Sequence, residues 1–236
     1  MSPGSAEEAA EMSDVPYQSV IGSLMYAMLG TRPDIAYSVG ALSQYCSNPG
    51  RIHWTAAKRI LRYLKGTINY ALEYRRSNGG LSGYSDADWA GSLDDRRSTT
   101  GYVFLIAGGS VSWGSNKQPT VALSTTEAEY MAISQAVKEG IWIRTFLSEL
   151  GFELVDKSAT TVFSDNQGCI ALTKNPTQHK RTKHIDIRHH FVKEIVESGA
   201  IKVVYVGTDN MVADILTKGL LREKHRRFVT RMGLVE

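Results

Sequence analysis

The chain has 236 residues, 42% of them hydrophobic, with a formal net charge of +3 and a pI near 8.8. The length allows one large domain, or one ordinary domain with an appendage, and the apolar content supports a real core, which excludes wholesale disorder. So small a basic excess is only a weak lean towards anionic partners, and its distribution matters more than its sum. Two cysteines, Cys46 and Cys169, make neither a disulfide framework nor a paired zinc motif and suit a reducing compartment. No basic region followed by an apolar one opens the chain, and the longest apolar stretch, Val20 to Leu29, is broken by Gly22 and Ser23. The expectation is a soluble intracellular, cytoplasmic protein with no membrane partner.

In chain order, residues 1–13 are mostly Ser, Glu and Ala around one Pro-Gly pair, and residues 1–16 are expected to be a disordered leader. From Tyr17 to Gly66 the spacing is helical. Val20, Ile21, Leu24, Met25 and Met28 recur at helical intervals, and Gly30 ends the run. Pro33 opens a second helix with Ile35, Val39 and Leu42 on one face, closed by Ser47-Asn48-Pro49-Gly50. A third, residues 53–65, sets Trp54, Ala57, Ile60, Leu61 and Leu64 against Lys58, Arg59, Arg62 and Lys65. This small helical module, residues 17–76, has no cluster of chemistry-bearing side chains; it is expected to pack on a neighbour and turn its basic side to a phosphate backbone.

After Ser77-Asn78-Gly79-Gly80 the pattern changes to strands, at residues 81–86, 99–106 and 110–115, with Ala107-Gly108-Gly109 as a hairpin turn. Short loops make these three antiparallel. The longest helix follows at residues 125–150 and stops at Gly151. Then come a β-branched strand (160–164), helices at 166–173 and 185–198, a fifth strand (201–206) and closing helices from Val212, the last over residues 221–236. The first, fourth and fifth strands, linked through helices, should be parallel. The fold class is α/β: a five-stranded mixed sheet, three antiparallel strands then two parallel, flanked by helices over residues 80–220.

Four carboxylates mark this sheet. Asp86 lies near the end of the first strand, Glu129 (with Glu127) early in the long helix, Asp165 after the fourth strand, and Asp214 at the start of the final helices. Ligands gather beyond the carboxyl ends of parallel strands, which sets Asp86 and Asp165 side by side. Like charges so placed raise each other's pKa unless a cation intervenes. Helix N-termini favour anions, so Glu129 and Asp214 are expected to stay ionised at low cost. Converging oxygens without cysteine or histidine ligands ask for hard divalent cations, Mg²⁺ or Mn²⁺, and two such ions can drive phosphodiester hydrolysis. Taken singly, Asp165 and Asp214 are more often N-caps, and Asp88, Asp94 and Asp95 are expected to be solvated loop acids. Lys174, Lys180, Arg181, Lys183, Arg188 and Lys193 against Asp186 form the basic footprint a nucleic acid would use, where the plain alternative is a solvated helix face.

Gly83-Tyr84-Ser85-Asp86-Ala87-Asp88-Trp89-Ala90-Gly91, Arg97-Ser98-Thr99-Thr100-Gly101-Tyr102, the run from Lys117 to Tyr130, Lys183-His184-Ile185-Asp186-Ile187-Arg188 and Ala213-Asp214-Ile215-Leu216-Thr217-Lys218 resemble the RNase H domain of copia-type LTR retrotransposon polyproteins. Residues 17–66 resemble the end of the reverse transcriptase region that precedes it. The resemblance implies an RNase H-like fold and a catalytic, metal-binding set of Asp86, Glu129, Asp165 and Asp214. It also implies two Mg²⁺ ions that cut the RNA strand of an RNA/DNA hybrid and leave a 3′-hydroxyl. Lys117, Ser124, Thr125, Asn166, Gln167, Lys180, Arg181, Lys183 and Arg188 are the candidates for holding the hybrid, and the remainder of a reverse transcriptase is a further candidate partner.

Two departures follow. Many cellular members carry a histidine after the fifth strand, and Gly207-Thr208-Asp209-Asn210-Met211 has none. The Tyr-x-Asp-Asp motif of a polymerase is absent, so the chain is not expected to polymerise DNA. A transposase or integrase on the same fold would place its Glu last, whereas Glu129 comes second. A non-catalytic nucleic-acid-binding fragment of such a polyprotein stays open as the alternative.

Overall fold

The computed structural model describes residues 5–75, 80–152, 158–174 and 183–236. It begins with a short helix, α1 (Ala6–Glu11), inside the segment expected to be disordered. The cause is local: Ala and Glu are strong helix formers, and Met12, just beyond the helix, is buried. Then α2 (Tyr17–Gly30), a 3₁₀ turn at Pro33–Ile35, α3 (Ala36–Ser43) and α4 (Arg51–Gly66) close around Tyr17, Ile21, Leu24, Val39, Ala57 and Ile60. Met25 and Leu61, placed on the buried stripes by spacing alone, are exposed. On α2 the buried face is a narrow row through Tyr17, Ile21 and Leu24, and Met25 falls on its flank.

A two-residue strand, β1 (Ala71–Leu72), pairs antiparallel with Leu234–Val235 near the C-terminus. Two residues carry no periodicity, and the sequence gives no sign of this ribbon. Next come β2 (Ser82–Asp88), β3 (Thr99–Ile106) and β4 (Gly109–Lys117), an antiparallel meander. β5 (Thr160–Ser164) and β6 (Ile201–Tyr205) add in parallel on the other side of β2, giving the order β4-β3-β2-β5-β6. This is the mixed sheet expected. β2 runs two residues further than expected and is buried along its middle.

One face of the sheet is covered by α5 (Thr125–Glu149), α6 (Gln167–Lys174) and α7 (Lys183–Glu197), around a core that includes Phe104, Tyr130, Ile133, Val137 and Val162. Against the other face lie Met211, Leu216, Phe228 and Met232, from a turn at Val212–Leu216 and from α8 (Arg222–Arg231) and its end. Residues 212–216 form a 3₁₀ turn where an α-helix was expected; the apolar run is one tight turn long before Gly219 interrupts it. The helical module docks on edge strand β4, where the Trp113 indole N–H donates to the Met28 carbonyl at 2.9 Å. An edge so covered cannot template pairing with another chain. No helix among the described residues is long and apolar enough to cross a membrane.

Candidate active site

The parallel pairing of β2 and β5 sets Tyr84 opposite Phe163; two residues on, the same register sets Asp86 opposite Asp165. At the start of α6, Asn166 Oδ1 accepts the Cys169 N–H at 2.9 Å. Asn166 is therefore the cap, and the Asp165 carboxylate accepts instead from the Thr208 hydroxyl at 2.8 Å. The start of α5 repeats this division. Ser124 Oγ accepts the Glu127 N–H at 3.1 Å, and the Glu127 carboxylate accepts the Leu123 N–H at 2.9 Å. That arrangement resembles a capping box. Glu127 is engaged at the helix end, while Glu129 is buried near β2 and accepts from the Ala87 backbone.

Asp86, Glu129 and Asp165 each offer an oxygen, and the three oxygens lie within 4.8 Å of one another. Asp86 is 2% exposed and Glu129 6%. Asp214 is fully buried beside them, but its oxygens face ammonium groups: Lys218 Nζ at 2.8 Å and Lys224 Nζ at 2.7 Å. Three of the four expected carboxylates converge, and the fourth is held next to them by lysines. Lys218 Nζ also lies 3.6 Å from Asp86, and the Thr217 hydroxyl donates to the same carboxylate. Gly101 on β3, opposite Asp86, makes this close approach possible. A Cβ there would stand 2.6 Å from Thr217 Cγ2 and 3.1 Å from the Ala213 carbonyl.

Burial pushes the Asp86 carboxyl up to about 6; Lys218 pulls it down and Asp214 adds to the rise. Burial pushes Glu129 up to about 9, with Asp86 and Asp165 adding repulsion. This corrects the expectation that a helix N-terminus keeps Glu129 ionised at low cost. The dipole contributes about 0.3–1 kcal/mol, and desolvation beside two carboxylates outweighs it. Burial lowers the Lys218 ammonium, but Asp86 and Asp214 hold it above its ordinary value.

The donor set fits a hard divalent ion. Glu129 Oε2 is buried with no hydrogen-bond partner among the described residues, and the remaining donors at the cluster are carboxylate oxygens, the ligands Mg²⁺ and Mn²⁺ take. A second ion that used Asp214 would have to displace a lysine from it.

The other candidates divide. Lys117 is held by Asp95 and Gln44, each at 2.9 Å. Ser124 and Asn166 cap helices, and Thr125 and Gln167 are exposed beside them. Arg188 is half-buried on α7, a helix that packs against α5, α6 and β6. Lys180 and Arg181 lie outside the described residues, as does the side chain of Lys183. Asp88 is not a solvated loop acid: it ends β2, is half-buried, and accepts the Thr99 N–H. Sequence reasoning gives no role to Thr217, Lys218, Lys224 or Gly101. The acid-to-base spacing of four from Asp214 to Lys218 is a readable ion-pair signal, and a glycine inside a strand marks a close approach.

No family model matches the chain. It is 49% identical over 224 residues to the retrovirus-related Pol polyprotein from transposon TNT 1-94 of Nicotiana tabacum, covering 95% of this chain and 17% of that protein. It is 56% identical over 133 residues to secreted RxLR effector protein 161 of Plasmopara viticola, covering 56% of this chain and 94% of that one. A foamy viral protease-reverse transcriptase, solved with an RNA/DNA hybrid, shares the fold at 16% identity and a TM-score of 0.50, over 86% of this chain and 27% of that one. The chain spans 15–17% of the length of the transposon polyproteins it matches.

Proposed function

We propose, from the premise that the chain belongs to the copia-type Pol polyproteins of LTR retrotransposons, that it is a metal-dependent endoribonuclease cutting the RNA strand of RNA/DNA hybrids. Its chief support is the meeting of three carboxylates within 4.8 Å around a buried Glu129 oxygen that lacks a partner among the described residues. Asp86, Glu129 and Asp165 would hold Mg²⁺ or Mn²⁺, which supplies Lewis-acid activation of water and stabilises the leaving oxygen. Hydrolysis joins the water oxygen to phosphorus and breaks the bond from phosphorus to the 3′ oxygen, leaving a 3′-hydroxyl and a 5′-phosphate.

The chain's own residues hold the charges in place. Thr217 orients Asp86 and Thr208 orients Asp165. Lys218 offsets the charge of Asp86 and Asp214 and is 41% exposed, so its ammonium can meet an incoming phosphate. The starts of α5 and α6 lie together, with Thr126 Oγ1 3.6 Å from where a Cβ at Gly168 would stand. Exposed Thr125 and Gln167 there suit 2′-hydroxyl contacts, the feature that separates an RNA strand from DNA. In this assignment residues 17–76 are the end of a reverse transcriptase region and residues 80–220 the nuclease domain.

The test is cleavage of an end-labelled RNA/DNA hybrid with Mg²⁺ by the intact chain and by Asp86→Asn and Asp165→Asn. The expected result is metal-dependent cutting by the intact chain, lost in both variants. No cutting by the intact chain, or equal cutting by all three, overturns the assignment. A salt-sensitive gel shift would then support the non-catalytic binding fragment.

A further inference from the structure

The nuclease reaction makes no use of a cleft of about 800 Å³ between α4 and α8, lined by Arg59, Ile60 and Tyr63 on one side and Arg222, His225 and Arg226 on the other. Its acid, Asp34, is already satisfied. Arg32 meets both its oxygens, at 3.0 and 2.8 Å, and the Tyr63 hydroxyl donates at 2.5 Å. Arg59, Arg222 and Arg226 are exposed and have no acid partner among the described residues. The fold thus gathers three like charges, from segments far apart in the chain, around one concavity. An apolar occupant would bury unpaired guanidinium groups at high cost. A phosphate would instead meet planar donors matched to it.

We propose that this cleft is a second nucleic-acid site, holding backbone phosphates of a strand whose neighbouring phosphates lie at the carboxylates. The identity of the ligand rests on the nuclease assignment; the site itself rests on the cleft. A polymer is favoured over a free anion by the way α8 is used. Residues two apart on a helix face opposite ways, and Lys224, between Arg222 and Arg226, reaches Asp214 at 2.7 Å and the Thr208 carbonyl at 3.3 Å. One helix, about 10–12 Å across, therefore carries the arginines of the cleft on one side and a lysine of the carboxylate site on the other. A strand crossing it would span a few phosphates.

The experiment measures binding of a fluorescent 24-base-pair RNA/DNA hybrid to the full chain, without divalent ions so that nothing is cut, across a salt series. The double variant Arg59→Ala/Arg226→Ala is compared with Lys138→Ala/Lys202→Ala, which removes as much charge away from the cleft. The expected result is binding at least about tenfold weaker and a salt slope lower by about 2 for the cleft variant alone, with charge-keeping Arg59→Lys/Arg226→Lys holding the slope of the intact chain and losing less affinity than the Ala variant. Equal slopes for the two Ala variants, or no hybrid binding by the intact chain, would overturn the site. Inorganic phosphate binding that is lost in the cleft variant while hybrid binding is unchanged would reassign the cleft to a small anion and overturn the backbone proposal. If the intact chain binds in this way but never cuts with Mg²⁺, the nuclease assignment fails and the cleft stands.

Discussion

Two buried acids in this protein have opposite surroundings. Asp34, in the helical module, is 4% exposed and fully answered by Arg32 and Tyr63. Glu129, on α5 beside the sheet, is 6% exposed, and Oε2 is without a partner among the described residues. Burying a charge is costly unless it is paired and hydrogen-bonded. Asp34 shows what the fold does when a carboxylate serves structure. Glu129 shows a carboxylate kept under-satisfied among its own kind, a state that a divalent cation would relieve.

Substitutions should pull the two apart. Glu129→Gln should reduce hybrid cleavage by on the order of a hundredfold or more, because a bound ion contributes several kcal/mol of transition-state stabilisation; Asp34→Ala should act through stability instead. Removing Asp34 leaves the Arg32 guanidinium buried and unpaired, and denaturant titration should show a loss of about 3–5 kcal/mol. A milder disturbance, Gly101→Ala, forces the Thr217 turn off β3 and should cost roughly 1–3 kcal/mol, seen as a lowered Tm.

The smallest effect has the opposite sign. Without metal, Glu129→Gln should raise stability by about 1 kcal/mol, since the amide removes a carboxyl that resists ionisation. The pH dependence follows the same logic. Asp86 and Glu129, pushed up to about 6 and about 9, hold protons in the folded protein that the unfolded chain releases near pH 4. Between those values the folded state binds more protons, so these two groups make the metal-free protein less stable as pH rises from about 4 towards 9. Denaturation midpoints measured across that range should fall in the intact chain and fall less in Glu129→Gln.

Much of this was legible in the residues. The strand spacing and crossover order predict the mixed sheet, and the register that sets Asp86 opposite Asp165 follows from β2 and β5 being parallel neighbours. The structure brings Glu129 to Asp86 and Asp165 and engages Glu127 at the helix end. What was not legible is what depends on burial. Glu129 lies near a helix N-terminus, but the number of carboxylates that crowd it is a tertiary fact. Lys224 reaches Asp214 only because α8 folds back beside the turn at residues 212–216. α1 and the ribbon of β1 with residues 234–235 escaped for another reason: one lacks apolar periodicity, and the other is too short to have any.

The most direct test of the under-satisfied site is calorimetric titration of Mn²⁺ into the intact chain and into Glu129→Gln, at pH 7 in two buffers of different ionisation enthalpy. Ligand carboxyls that carry protons must release them when a metal binds. The expected result is binding by the intact chain with net proton release, and much weaker binding with less release in the variant. Binding without proton release, or binding equal in both proteins, would contradict a cation site built around Glu129.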